Sequence, residues 1–527
     1  MAMAVGFFLW RTAHFYVPGK GFTYLIRFGD ELGRPRIREL QAADYYVHRN
    51  SYGYDGQYYA QLAVKPRPAD QDLQAAMDNL PYRARRILFC WTAHGLGLGR
   101  PRWVLEAYAL QNVIAWLLLA WVLLRWFPPT NAGNVVRWAG TMFAWGLMQS
   151  VSEALPDGPS LLLIAGGVAL AEQGRPWLSA GLLGVAGLGR ETNLLAGLIH
   201  LPGKDWSGRE IWRAVGRGAL IAAPLAVWLA WLWGAAREPG NAGLSNFAPP
   251  FAGYLHKWSE TLGNLRAGGW NSPARWSLLL LISVSAQFLL IVLRPQWTSR
   301  WWRIGAAYAV LMVFLGDGVW EGFPGATARV LLPLTLAFNV VAPRGRWWWM
   351  VLLVAGNLSA LSVGSQMAAP GSRSYRVEVA PAIAGDPAGE AIAVTFGAGW
   401  YESEESTFEY WRWSQGAAEI VIHNRRATPL TVELDFDLRA VDERTVRVFQ
   451  GPTLRWEGTV SREGTSVHLR PVTLAPGNNA WSFDSNAPPR TPRGDMLRPI
   501  AFNLRNLVIR IVPGPDSFSG GTTGSLP

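Results

Sequence analysis

The chain has 527 residues, half of them hydrophobic and only 16% charged, with 29 Trp, 21 Phe and 15 Tyr. Ordinary soluble domains carry about 25% charged residues, so this composition excludes disorder and a fibre. The single cysteine, Cys90, excludes an internal disulfide, a Cys-x-x-Cys redox pair and a cysteine-rich zinc site. The net charge of +11 is uneven: residues 1–367 hold 32 Lys/Arg against 19 Asp/Glu (+13), and residues 368–527 hold 16 against 18 (−2). The first part is apolar and basic, without a basic stripe or a nucleic-acid motif, so no nucleic-acid partner is expected. Its loop arginines instead suit the orienting of membrane helices.

Apolar runs bounded by charge, Pro or Gly give eleven candidate spans. They cover 1–17, 103–126, 135–151, 159–171, 177–188, 192–201, 219–233, 276–292, 304–315, 330–341 and 347–363. Several fall short of the ~20 residues of a full span, as helices lining a cavity do. With the long loop 18–102 outside, the inner connections carry Arg125, Arg137, Arg175, Lys204, Arg209, Arg213, Arg217, Arg294, Arg300, Arg303, Arg344 and Arg346. They carry only Glu172, Asp205 and Glu210 as acids, a positive-inside bias. This requires residues 177–201 to form two short helices that meet outside at Arg190-Glu191. One continuous helix would bury that pair in hydrocarbon. Loop 18–102 includes Tyr82-Arg83-Ala84-Arg85-Arg86-Ile87-Leu88-Phe89-Cys90-Trp91, an amphipathic stretch too short to span. It reads as an interfacial or re-entrant helix with its arginines at headgroup level.

After Gly371 the pattern becomes alternating. Residues 432–438 and 445–449 alternate strictly, and 418–423, 466–469 and 479–483 read as short strands between Pro/Gly/Asn turns. The spacing predicts a β-sandwich. The expected architecture is an α-helical polytopic membrane domain over 1–367, an all-β sandwich over 368–513 placed outside, and a flexible tail over 514–527.

The richest string is Tyr52-Gly53-Tyr54-Asp55-Gly56-Gln57-Tyr58-Tyr59. One carboxylate sits there among aromatics and glycines, just outside the first apolar segment. Its plain reading is an interfacial aromatic belt with a turn at Asp55-Gly56. Three more polar clusters fall on the same outer side: Ser152-Glu153-Ala154-Leu155-Pro156-Asp157-Gly158, Gly189-Arg190-Glu191-Thr192-Asn193, and Asp317-Gly318-Val319-Trp320-Glu321 followed by Arg329. Acids and arginines near spans face cavities or pair with one another, for instance Glu153 or Asp157 with Arg190. Loop 236–274 adds His256, Lys257, Trp258 and Arg266. In the sandwich, Trp400, Trp411 and Trp413 are either core or a stacking surface for sugar rings.

A first outer loop with a Tyr-Asp-Gly string, then Tyr-Arg-x-Arg-Arg, then many short spans, and a Glu…Arg-Val-Leu-Leu-Pro pattern at Glu321 and Arg329–Pro333, resembles the GT-C superfamily of membrane glycosyltransferases. More narrowly it resembles bacterial multi-pass proteins of cell-surface glycopolymer formation. The resemblance covers roughly residues 18–345. It implies transfer of a sugar from a polyprenyl-phosphate donor to a cell-envelope glycan or lipid-linked acceptor, with inversion, on the outer face of a bacterial cytoplasmic membrane. It assigns the base to Asp55, since an inverting displacement needs one group to take the acceptor's proton and a phosphate leaving group needs no acid. It makes Arg83, Arg85 and Arg86 phosphate ligands, because guanidinium suits a developing phosphate charge. Acids and arginines beside spans make Glu153, Asp157, Arg190, Glu191, Glu321 and Arg329, with Tyr54 and Gln57 of the aromatic string, candidates for substrate contact, and aromatic faces that stack on sugar rings make Trp400, Trp411 and Trp413 the glycan-contact candidates. No cofactor is implied; a Mg or Mn ion at Asp55 with Asp157 is possible and not favoured. Two other classes stay open: a lipid-linked glycan flippase, which needs no carboxylate base, and a non-catalytic scaffold of an envelope-polymer complex.

Overall fold

The computed structural model describes residues 1–29, 34–40, 43–48, 51–203, 206–235, 243, 246–270, 272–345, 347–367, 378–380, 391–405, 410–491 and 499–512. Two compact units result, one from residues 1–29, 34–48 and 53–369, the other from 30–33, 49–52 and 370–527. The expected tail over 514–527 lies outside the described residues.

The first unit is helical. Among its described residues three helices are long and apolar enough to cross a bilayer: Pro101–Arg125, Gly208–Gly234 and Ala274–Leu293. About eleven membrane helices, the number expected from the apolar runs, is not supported. The runs are present, but the helices they form are interrupted. Helix Ala2–Ala13 has 12 residues, a length of about 18 Å at 1.5 Å per residue. The run 135–151 breaks into Ala132–Met142 and Trp145–Ser152. The run 177–201 forms helix Pro176–Gly187 and, after Arg190, the 3₁₀ helix Glu191–His200. Loop 236–274 contains a helix, Ala252–Gly268.

Short helices leave backbone groups to satisfy in apolar surroundings, and polar side chains do this. Arg137 is buried and donates from Nη1 to the carbonyls of Asn339 (2.6 Å) and Ala342 (2.9 Å), and from Nη2 to that of Pro343 (2.8 Å). A guanidinium thus caps the C-terminus of helix Leu332–Val341, where carbonyls and the helix dipole favour a cation. Asn339 and Asn357 exchange amide hydrogen bonds, both 2.9 Å. Gly140 lies against this pair: a Cβ there would sit 2.2 Å from the Asn357 Oδ1. Such small-residue and amide contacts join helices where apolar burial alone cannot.

The second unit is built of β1 (Glu378–Ala380), β2 (Ile392–Phe396), β3 (Trp400–Glu405), β4 (Tyr410–Ser414), β5 (Ala418–Asn424), β6 (Leu430–Ala440), β7 (Arg444–Gln450), β8 (Thr453–Val460), β9 (Thr465–Leu474), β10 (Gly477–Ser485) and β11 (Phe502–Ile511). One sheet runs β3-β4-β11-β6-β9, with β1 parallel to β11; the other runs β2-β5-β10-β7-β8. Strand β6 alternates buried and half-buried along its whole length, as a strand with one covered face must. Leu434, Phe436 and Leu438 from one sheet meet Ile420, Val448 and Phe483 from the other in a single apolar core. This is a β-sandwich.

The sandwich corrects one of the three glycan-contact assignments. Trp400 is part of that core. Its ring centroid lies 5.6 Å from Phe483 and 5.9 Å from Phe502, and its Nε1 donates to the Glu419 carbonyl at 2.9 Å. No face is left for a sugar. Trp411 and Trp413 are half-buried. Trp411 donates to a Glu404 carboxylate oxygen at 2.8 Å and carries the Arg505 guanidinium 4.6 Å from its ring centre. Truncation of a buried large aromatic costs about 3–5 kcal/mol. Trp400→Ala is therefore expected to lower the unfolding free energy of the full chain by that order, and Trp400→Phe by much less, in chemical unfolding followed by tryptophan fluorescence.

Candidate active site

The site begins with two glycines that let the chain come close to itself. Gly53 has φ +73°, and a Cβ on it would sit 2.4 Å from the Arg27 carbonyl. A Cβ on Gly56 would sit 2.4 Å from the Glu153 carbonyl and 2.7 Å from that of Ile26. Only glycine fits both positions. Tyr54 and Asp55 are thereby wedged between residues 26–27 and 153–154, at the start of helix Gly56–Val64. Gln57, expected to touch substrate, is instead buried and accepts the Gly29 amide at 3.2 Å. It braces the loop from the first turn of the helix, where its side chain turns back to the Gly29 amide.

Arg83 reaches Asp55 from helix Leu80–Ala84, which Asn79 caps by accepting the Tyr82 amide. Its Nη2 donates to Asp55 Oδ1 at 2.9 Å and to Asp78 Oδ2 at 2.7 Å, and its Nε to Asp78 Oδ1 at 3.1 Å. The ring of Tyr58 lies 4.9 Å from the guanidinium. Arg86, one turn on, donates to Glu191 (3.0 Å) and to the hydroxyls of Tyr59 (3.0 Å) and Tyr82 (2.9 Å). Tyr59 ends the Tyr52–Tyr59 string and Tyr82 opens the Tyr-Arg-x-Arg-Arg motif, whereas Asp78 belongs to no motif in the sequence. Asp78 stands five residues before Arg83, a spacing that marks it once the helix start is known.

Arg329 comes from helix Thr327–Val330. Its Nη2 donates to the Tyr54 hydroxyl at 3.1 Å and lies 3.8 Å from Asp55 Oδ2, while its Nη1 lies 3.5 Å from Asp157 Oδ2. Arg190 pairs with the other oxygen of Asp157. Asp157 is 3% exposed and is enclosed by its pairing with both arginines. Gln149 donates to the Tyr54 hydroxyl (3.3 Å) and to Glu153 (2.9 Å). The Arg329 guanidinium stands between Asp55 and Asp157, the pair considered for a metal, and among the described residues no group of three or more His, Cys, Asp or Glu is placed to hold one.

Asp55, Arg83, Arg85, Arg86, Arg190, Glu191 and Arg329 line one cavity of about 420 Å³. Five guanidiniums face two carboxylates there. Phe247, Leu311, Leu315, Val319 and Val330 complete its wall. Glu321 is exposed and does not line the cavity, a correction to its expected place. The backbone turns it outward just after the short helix Asp317–Trp320.

The carboxyls of the site are driven apart. Burial raises the Asp55 carboxyl, but Arg83 and Arg329 outweigh it and hold the group below the usual carboxylate range. Burial raises Glu153, and there it prevails over Arg27 and Arg329. Burial also pushes the Tyr54 hydroxyl up to about 12. Asp55 is thus ionised at neutral pH, with Tyr54 a neutral donor beside it.

No protein-family model and no curated protein matches the chain. Solved structures similar to it include the following three. The arabinosyltransferase EmbB from Mycobacterium smegmatis has 10% sequence identity and a TM-score of 0.35, covering 96% of this chain; the chain spans 64% of EmbB's length. A mutant of CBM29-2, a family 29 carbohydrate-binding module, has 12% identity and a TM-score of 0.16 over 23% of this chain and 81% of its own. The C-terminal CBM6 of LamC, a laminarinase from Zobellia galactanivorans, has 13% identity and a TM-score of 0.16 over 23% of this chain and 99% of its own.

The close packing at Gly56 is testable without knowledge of the reaction. Overpacking a tight contact costs about 1–3 kcal/mol. Gly56→Ala is expected to lower the thermal stability of the detergent-solubilised chain by that order, whereas Gly6→Ala, inside helix Ala2–Ala13 with nothing within 4 Å, does not lower it.

Proposed function

We propose that the chain is a membrane glycosyltransferase that takes a sugar from a polyprenyl-phosphate donor and passes it to a cell-envelope glycan or lipid-linked acceptor. The observation that carries this reading is the cavity in which an ionised carboxylate, five guanidiniums and an apolar wall meet. Cations without acids suit phosphate alone, and an apolar slot suits lipid alone. A lipid phosphate needs both, and a transfer reaction adds the base.

In this reading the donor phosphate lies against the arginines and the first part of its lipid against Phe247, Leu311 and Leu315. Asp55 accepts the proton of the acceptor hydroxyl. The acceptor oxygen bonds to the anomeric carbon from the face opposite the phosphate, the carbon–oxygen bond to phosphate breaks, and its electron pair stays on the phosphate oxygen. The phosphate thereby gains negative charge, which guanidiniums in a water-poor cavity stabilise more in the transition state than in the ground state. Tyr54 and Asp157 fix Arg329 for this task. The bias of arginines toward one set of loops supports an outward-facing site in a bacterial cytoplasmic membrane. The sandwich then presents or recognises glycan, with Trp411 and Trp413 as its aromatic candidates.

The decisive experiment is sugar transfer in proteoliposomes from a panel of radiolabelled polyprenyl-phosphate sugars to envelope-glycan acceptors. A general base contributes about 10²–10⁴-fold. Asp55→Asn is expected to lose transfer by that order while still binding polyprenyl phosphate. Transfer surviving the substitution would remove Asp55 from the role, and no transfer from any donor would sink the enzyme reading. The pH profile gives a second check. Arg329 lowers the Asp55 carboxyl, so Arg329→Gln is expected to shift the acid limb of kcat/KM to higher pH, as the unassisted carboxylate protonates sooner.

A further inference from the structure

In the free protein Asp55 is engaged by the same guanidiniums that line the cavity. Arg83 donates to it at 2.9 Å, and Arg329 lies 3.8 Å from its other oxygen. A carboxylate held this way is a poor base, because both its charge and its lone pairs are in use. The two arginines are anchored without Asp55. Asp78 takes Arg83 through both of its oxygens, and Tyr54 and Asp157 take Arg329. They keep their places when Asp55 lets go. Asp55, by contrast, starts helix Gly56–Val64 with no side-chain capping bond, and its side chain is 31% exposed on the cavity side.

We propose that Asp55 and the donor phosphate compete for Arg83 and Arg329, so that the resting site holds its base latched and arrival of the phosphate releases it. This rests on the reading of the cavity as a lipid-phosphate site. It goes beyond that reading in making the base available only when the donor is in place. The charge of the phosphate replaces that of Asp55 on the two guanidiniums, and the freed carboxylate turns to the acceptor hydroxyl. No bond is made or broken in the release itself. The consequence is an order of events: acceptor deprotonation follows donor binding, and an empty site does not activate water or alcohol. The lack of a capping bond lets the Asp55 side chain turn about its own torsions without unwinding its helix.

Competition makes a prediction opposite to that of a plain binding residue. Polyprenyl phosphate is titrated into the full chain in nanodiscs, wild type beside Asp55→Asn, Arg83→Gln and the double variant. With the competitor neutralised, Asp55→Asn is expected to bind about tenfold more tightly, ~1.4 kcal/mol. Arg83→Gln weakens binding, and weakens it more in the Asp55→Asn background than in the wild type, since only there is Arg83 wholly given to phosphate. Inorganic phosphate in place of the lipid is expected to show the same order with lower affinity, which separates the headgroup from the tail. Unchanged or weaker binding by Asp55→Asn overturns the latch and leaves the phosphate site standing. Tighter binding with additive effects of the two substitutions reduces Asp55 to a background charge and overturns it as well. Absence of binding in all four proteins overturns the phosphate site and the latch together.

Discussion

Everything in the first unit converges on one constraint: several guanidiniums are held together where little water reaches them. A buried charge is tolerated only when paired and hydrogen-bonded. Asp78, Glu191 and Asp157 meet that demand for Arg83, Arg86, Arg190 and Arg329. Each arginine is fixed from behind, and its remaining charge is turned toward the cavity. The wall is cationic because the compensating acids Asp78 and Asp157 stand outside its lining.

The helices serve this arrangement by being short. Continuous spans would carry residues such as Arg190 and Arg329 along a cylinder facing lipid. Breaks at Phe143-Ala144, at Leu188–Arg190 and around Glu321–Ala326 instead bring helix ends together, and helix ends are where polar side chains collect. The cost is unsatisfied backbone, which Arg137 offsets at the carbonyls of Asn339, Ala342 and Pro343. Polar residues inside the helical unit thus divide into those that hold helices together and those that open on the cavity. Asp157 belongs to the first kind and Asp55 to the second, although both are acids beside Arg329.

The sandwich is organised by a different force. Its strands have one covered face each, and apolar residues from both sheets fill one core. Trp400 packs inside that core, while Trp411 lies outside it against Glu404 and Arg505. Strand alternation does not assign Trp400, because its strand is irregular where it meets β4: the register shifts between Trp400 and Ser403.

The sequence alone determined the two-part organisation, since hydropathy and alternation are local properties of the chain. It also determined the strands of the sandwich core and marked the Tyr54-Asp55-Gly56 string, whose glycines signal a turn. It singled out Asp55, Arg190, Glu191 and Arg329, which line the cavity, because charge beside apolar runs is visible along the chain. Only the tertiary structure decided which of them meet. Arg329 joins Tyr54 across 275 positions, Asp157 and Gln57 turn inward, Glu321 turns out, and Trp400 enters the core. It also reduced the expected spans, because a helix ends where its side chains find better partners than lipid, and those partners lie far along the chain. Pairing of charges at a distance depends on how helices pack, and no local pattern encodes it.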